Sequence, residues 1–430
     1  MVLTFLISAS WVPLGVSACV DITGDVMTTP QAVLERLHRT TDQILGREDL
    51  ITRLSSGRKL RIKFGVDCTA PELHLGHAVN LWMMRYLQDL GHTVVFLLGD
   101  TTTRIGDPTG RSTTRPVLTP EEIDRNAAAF LKQVTIVLSD DPQVFEVRRN
   151  SEWYEQMSIN ELVSELGLVT HSQMMSRDMF QARVAEHQEI GMHELIYPVL
   201  QGYDSVALKS DVTIVGSDQL FNEAMGRTFQ AKHGQLPQTV ITSTVTPGLD
   251  GGPKQSKSLN NYVGLAQSAQ EQFGRLMTLA DALLGVWATA YTDLPDKQVL
   301  ELERRGLAGG KQARDAKLDL AEAIVSRYHG HAAAGQARES FLRVLSQRGL
   351  PDDVPDLSLP GPPSNVLELV GAARPDLTRS AARRLITEGG VRLNDEQLLD
   401  PFAIVALSSG QVLQAGRRRW FRIHMTAQSS

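Results

Sequence analysis

Between Leu60 and Gly99 the apolar positions change period twice. Arg61-Ile62-Lys63-Phe64-Gly65-Val66 reads as a buried strand, Leu75 to Leu90 places its apolar residues at helical spacing, and Thr93-Val94-Val95-Phe96-Leu97-Leu98 is a continuous apolar strand closed by Gly99. Strand, helix and strand in that order predict a right-handed crossover and a parallel sheet. A second unit follows, with Val212-Thr213-Ile214-Val215 as strand and Gln219 to Ala231 as helix. The predicted fold is therefore α/β, a doubly wound, Rossmann-like parallel sheet. Pro30 to Leu45 reads as a capped amphipathic helix, and Thr119 to Glu194 as a mostly helical insertion between the two halves of the sheet. After Tyr262 helical periodicity returns to about Arg348, with Leu318, Ala321 and Val325 at spacings of three and four.

A chain of 430 residues is too long for one hydrophobic core. The pattern divides it into an N-terminal extension (1–29), the sheet domain with its insertion (30–247), a loop and α-helical domain (248–350), a proline-rich linker (351–363) and a small α+β module (364–430). Net charge is −6, so a nucleic-acid partner would need a local positive patch. The last module has one, with nine arginines against six acidic residues between Ser364 and Met425. Cys19 and Cys68 are the only cysteines, which excludes a disulfide framework and a thiolate zinc site and fits a reducing cytosol. Met1 to Val20 is apolar and uncharged, and Val16-Ser17-Ala18-Cys19 has the small-residue pattern of a cleaved leader, yet no positive charge precedes it. The competing expectation is that Met27 opens the native protein.

Two segments carry the chemistry. Pro71-Glu72-Leu73-His74-Leu75-Gly76-His77 falls where the first strand turns into a helix. There the free amides and the helix dipole attract phosphate, Gly76 leaves room for a nucleotide, and His74 and His77 project to one side. Lys254-Gln255-Ser256-Lys257-Ser258, after the flexible Gly251-Gly252-Pro253, can fold two ammonium groups and two hydroxyls over a triphosphate. Alone, the first segment is equally readable as a pair of structural histidines and the second as a solvated turn.

As an ordered pair on a doubly wound sheet, these segments resemble the signature of the class I aminoacyl-tRNA synthetases. Phe64-Gly65-Val66-Asp67, Ile105-Gly106-Asp107-Pro108, Tyr197-Pro198-Val199-Leu200-Gln201-Gly202-Tyr203-Asp204 and Gly216-Ser217-Asp218-Gln219 narrow the likeness to the bacterial tyrosyl-tRNA synthetase family. It extends from about Pro30 to Met425. The resemblance implies ATP as substrate with Mg2+, no tightly bound protein metal, L-tyrosine and tRNA(Tyr) as partners, a cytoplasmic homodimer and no membrane role. It implies that Thr69 and His74 contact the departing phosphates, His77 the ribose region and Asp218 the ribose hydroxyls, with Gly76 and Gly216 leaving space for ATP. Lys254, Lys257 and Ser258 would close over pyrophosphate with Arg111 and Arg115.

The tyrosine site implied by the family comprises Asp67, Asp107, Tyr197, Gln201 and Gln219, with Asp204 accepting from the phenolic hydroxyl. Spacings of four and three put Tyr197, Gln201 and Asp204 on one helical face, which supports the transfer; Tyr203 reads better as a core aromatic. Four residues depart from the family pattern: Lys63 where many members place a tyrosine, Cys68 for proline, Val215 for a first glycine and Gln255 for methionine. The tail resembles a small S-four RNA-binding fold in which Arg379, Arg383 and Arg384 face phosphate. The rivals are a tryptophan enzyme of the same class and a non-catalytic RNA-binding protein on the same scaffold; intact His74, His77, Lys254 and Lys257 argue against the second.

Overall fold

The computed structural model describes residues 19–20, 26–27, 29–69, 72–107, 118–346, 354–361, 363–394, 396–416 and 419–425. The chain forms two compact units that divide between Ala334 and Gly335. The first is built on six strands: β1 (Thr41–Leu45), β2 (Arg61–Val66), β3 (Thr93–Leu98), β4 (Phe145–Arg149), β5 (Val212–Gly216) and β6 (Thr239–Ser243). Their order is β1-β6-β5-β2-β3-β4, and every neighbouring pair is parallel except β1 with β6. Consecutive residues Ile62, Lys63 and Phe64, and Val94 through Leu98, are buried, so the central strands are covered on both faces.

Two expectations change. The helix read over Pro30 to Leu45 ends at His38, and Thr41–Leu45 becomes the edge strand β1. Thr29 caps the helix, its hydroxyl accepting from the Ala32 N–H at 3.3 Å, but pairing with distant β6 overrides helical periodicity after Thr40. The insertion is not purely helical either, because Phe145–Arg149 joins the sheet as β4 beside β3. Its alternating charges hide it in the sequence; Glu146 accepts from the Arg61 guanidinium at 2.7 Å.

Helices Ala269–Leu276, Leu284–Tyr291 and Asp296–Leu307 precede a long helical stretch, Gly310–Ser346, interrupted at Gly330, where φ is 82°. Among the described residues no helix is long and apolar enough to cross a membrane.

The second unit holds a five-stranded sheet of β7 (Asp356–Leu359), β8 (Val391–Leu393), β9 (Glu396–Gln397), β10 (Val412–Ala415) and β11 (Trp420–Met425), in the order β9-β8-β10-β11-β7. Helices Val366–Ala373 and Arg379–Thr387 pack Val366, Leu369, Val370 and Ile386 against Val391, Leu413 and Ile423. The stretch 351–363, expected as a spacer, supplies β7, parallel to β11, because Leu357 and Leu359 have an apolar core to join.

Candidate active site

Sequence order reverses between β2 and β5: β2 leads outward to β3 and β4, β5 to β6 and β1. In open α/β sheets the carboxyl ends of such a pair leave a crevice for ligands. Here it is a cavity of about 630 Å³ lined from both strand ends and the loops that follow.

The first wall is the start of helix Leu75–Asp89, with His74 as N-cap residue. The His74 backbone N–H donates to His77 Nδ1 at 3.2 Å, which leaves the His77 ring proton on Nε2. The two ring centroids are 3.9 Å apart. A Cβ at Gly76 would come within 2.9 Å of the His74 ring, so only glycine lets that imidazole lie across the first turn. Among the described residues His74 Nδ1 is buried without a hydrogen-bond partner, a polar atom suited to meet a ligand. Burial, reinforced by the other ring and by Lys257 and Lys254, holds the His74 pKa down at about 2. Burial and Lys257 hold that of His77 at about 4. Both rings therefore stay neutral at physiological pH and can act as N–H donors.

The lysine loop is fastened at both ends by main-chain bridges, Pro247 to Lys254 and His74 to Gly264. Leu75 N–H donates to the Val263 carbonyl and Leu265 N–H to that of Leu73, each at 2.9 Å. Lys254 Nζ lies 3.1 Å from Asp218 Oδ2; both side chains are exposed, so the pair is weak. Burial lowers the Lys257 pKa, opposed by Glu72. Gln255 is buried instead: its amide donates to the Tyr291 hydroxyl at 2.6 Å and its oxygen accepts from Val263 N–H at 3.3 Å, with Thr246 completing a polar network at Tyr291.

Opposite, helix Met192–Leu208 presents Tyr197, Gln201 and Asp204 to the cavity. The Tyr197 hydroxyl donates to Asp67 at 3.0 Å, and Gln219 donates to Asp107 at 2.8 Å. Asp204 accepts from Trp153 Nε1 at 3.0 Å and from the Tyr154 hydroxyl at 2.8 Å. Burial pushes its carboxyl up to about 7, against the opposing pull of Lys63 and these donors.

Thr69, Ser258, Gly216 and Asp218 line the same cavity as the histidines, the lysines, Asp67, Asp107, Tyr197, Gln201, Asp204 and Gln219. Arg111 and Arg115 lie outside the described residues. Tyr203 is elsewhere, packed against Tyr154 at 6.2 Å and His233 at 5.9 Å between ring centroids. Val215 is in the cavity wall, and Cys68 is buried with its thiol pushed up to about 12, which makes it unreactive. Arg379, Arg383 and Arg384 are exposed along helix Arg379–Thr387, opposite buried Ala382 and Ile386. Sequence reasoning missed Trp153 and Tyr154, which reach Asp204 from an insertion helix with no distinguishing pattern. It also missed Glu223, one helical turn beyond Gln219, whose only signal was a charge on the buried face of helix Leu220–Lys232.

A family model described as class I tRNA synthetases (W and Y) matches residues 55–346, and the chain belongs to that class. The tyrosine–tRNA ligase of Moorella thermoacetica is 42% identical over 396 residues, 91% of this chain and 95% of that one. That of Francisella tularensis is 38% identical over 399 residues, 92% of this chain and 99% of that one. Within the class, then, the chain is a member of the bacterial tyrosine–tRNA ligase family. The fold is shared with a C-terminally truncated Aspergillus nidulans mitochondrial tyrosyl-tRNA synthetase, at a TM-score of 0.59, 21% identity, and coverage of 74% of this chain and 94% of that chain. It is shared also with an Archaeoglobus fulgidus tyrosyl-tRNA synthetase complexed with L-tyrosine, at a TM-score of 0.55, 19% identity, and coverage of 72% and 99%.

Proposed function

We propose that this chain activates L-tyrosine with ATP and then esterifies it to tRNA(Tyr). The observation that carries the reading is the single cavity in which His74, His77, Lys254 and Lys257 converge beside Tyr197, Gln201 and Asp204. The tyrosine carboxylate attacks the α-phosphorus; the bond from that phosphorus to the bridging oxygen breaks, giving tyrosyl-adenylate and pyrophosphate. A terminal ribose hydroxyl of the tRNA then attacks the tyrosyl carbonyl, and AMP leaves. Positioning and charge stabilisation dominate such chemistry, so no nucleophilic side chain is required. Thr69, His74, Lys254, Lys257 and Ser258 meet the departing phosphates. Gly76, His77, Gly216 and Asp218 hold the nucleoside. Asp67, Asp107, Tyr197, Gln201 and Gln219 orient the amino acid, and Asp204 accepts a hydrogen bond from its phenolic hydroxyl. Magnesium enters as the companion of ATP.

ATP–pyrophosphate exchange across the standard amino acids tests the reading. Tyrosine alone should support exchange; exchange with tryptophan but not tyrosine, or with neither, would overturn it.

The reading extends to a cytoplasmic homodimer whose C-terminal module binds tRNA. Arg379 and Arg383, one turn apart, and neighbouring Arg384 form an exposed cationic stripe suited to phosphate. Ending the chain after Ser346, ahead of β7, is expected to spare pyrophosphate exchange while lowering tRNA charging by at least about tenfold, with a steep salt dependence in the full chain only. Equal charging by both forms would remove the module from RNA recognition.

A further inference from the structure

Lys63 is 1% exposed, yet it lines the cavity, and among the described residues its charged partner at contact distance is Glu223, itself 2% exposed, with Nζ to Oε2 at 2.8 Å. A buried ion pair is costly to desolvate and contributes little to stability over a well-packed apolar pair, so its place in a binding cavity calls for a chemical role. An ammonium has three N–H donors. Two are used, on Glu223 and on the Ser205 hydroxyl at 2.8 Å, and the cavity is the volume into which a third acceptor can be brought. Asp204, next in sequence to Ser205 and facing the same space, is an acceptor whose carboxylate Lys63 stabilises. Glu223 also fixes the other end of the pocket, because its second oxygen accepts from the Gln201 amide at 2.9 Å. Donor and acceptor thus line one cavity, with Lys63 bonded to Ser205, the chain neighbour of Asp204.

We propose that Lys63 is a specificity-determining residue for the amino acid, donating its third hydrogen bond to the phenolic oxygen of the hydroxyl that donates to Asp204. The Lys63–Glu223 pair holds that donor in place. This rests on the tyrosine-activating reading and adds to it a second, cationic contact at the hydroxyl. Phenylalanine then leaves two buried polar groups unsatisfied in place of one.

The test pairs Lys63→Met with Glu223→Gln, so that no unpaired charge remains buried. In pyrophosphate exchange by the folded double variant, kcat/KM for tyrosine should fall about 10- to 100-fold with phenylalanine little changed. A purely structural role would lower both amino acids together, and an unchanged tyrosine-to-phenylalanine ratio would overturn the proposal. Should the double variant fail to fold, the wild-type enzyme decides with 4-aminophenylalanine, whose amino group donates to Asp204 but accepts poorly from an ammonium. Activation about tenfold or more below tyrosine is expected, and activation equal to tyrosine overturns the role of Lys63. Absence of tyrosine-dependent exchange by the wild type would sink the enzymatic reading itself, which separates the two failures.

Discussion

Alanine in place of Lys257 is expected to slow tyrosyl-adenylate formation by about 10²- to 10³-fold while leaving tyrosine affinity nearly unchanged. The reason is electrostatic. Charge builds on the departing pyrophosphate only as the bond to the α-phosphorus breaks, so a cation at that place acts on the transition state more than on the bound substrates. Lys257 shares the cavity with the neutral rings of His74 and His77, and its charge is felt by both, which lowers their proton affinity. Removing His74 should have an effect of the same size, because its ring is a preorganised donor with one buried nitrogen that no described residue partners. Pre-steady-state measurement of adenylate formation, with tyrosine binding measured separately, checks both. Loss of tyrosine affinity with an unchanged activation rate would show that the two residues belong to amino-acid binding instead.

Asp204→Asn should reduce the preference for tyrosine over phenylalanine by about 10²-fold in kcat/KM. Trp153 and Tyr154 already donate to Oδ1, and an asparagine oxygen can keep both bonds. What changes is the other position, where an N–H donor replaces an acceptor and faces the phenolic proton. The wild-type protein should also show a pH limb that the variant lacks. Burial raises the Asp204 carboxyl to about 7, so as pH falls through that value the acceptor is protonated and the KM for tyrosine rises. Linkage sets the stability trend. A folded pKa raised above the unfolded one favours the folded state below the unfolded value, and this contribution is lost as pH rises through about 7. The variant should therefore melt no lower than wild type at pH 8. Retained discrimination together with a retained pH limb would remove Asp204 from the phenol end.

The parallel core was legible because Arg61–Val66 and Thr93–Leu98 are short, apolar and separated by a helix-period segment, and their ends match the structure. Thr41–Leu45 and Phe145–Arg149 were not, since both are edge strands with mixed polarity that gain their conformation from a partner far away in the chain. The same contrast holds in the cavity. His74, His77, Lys254 and Lys257 were readable from two compact segments and Tyr197, Gln201 and Asp204 from one helix. Trp153, Tyr154 and Glu223 matter through contacts across 51, 50 and, to Gln201, 22 residues; local spacing carries no trace of the first two and marks Glu223 only as a charge on a buried helical face.

The short antiparallel stitch between residues 73–75 and 263–265 has a consequence for how variation is tolerated. Because peptide groups on both sides fasten the foot of the lysine loop to the imidazole corner, the gap across which a triphosphate must fit is set mainly by the backbone. Glutamine can then replace a thioether at position 255 and find new neighbours in Thr246 and Tyr291 without shifting that foot.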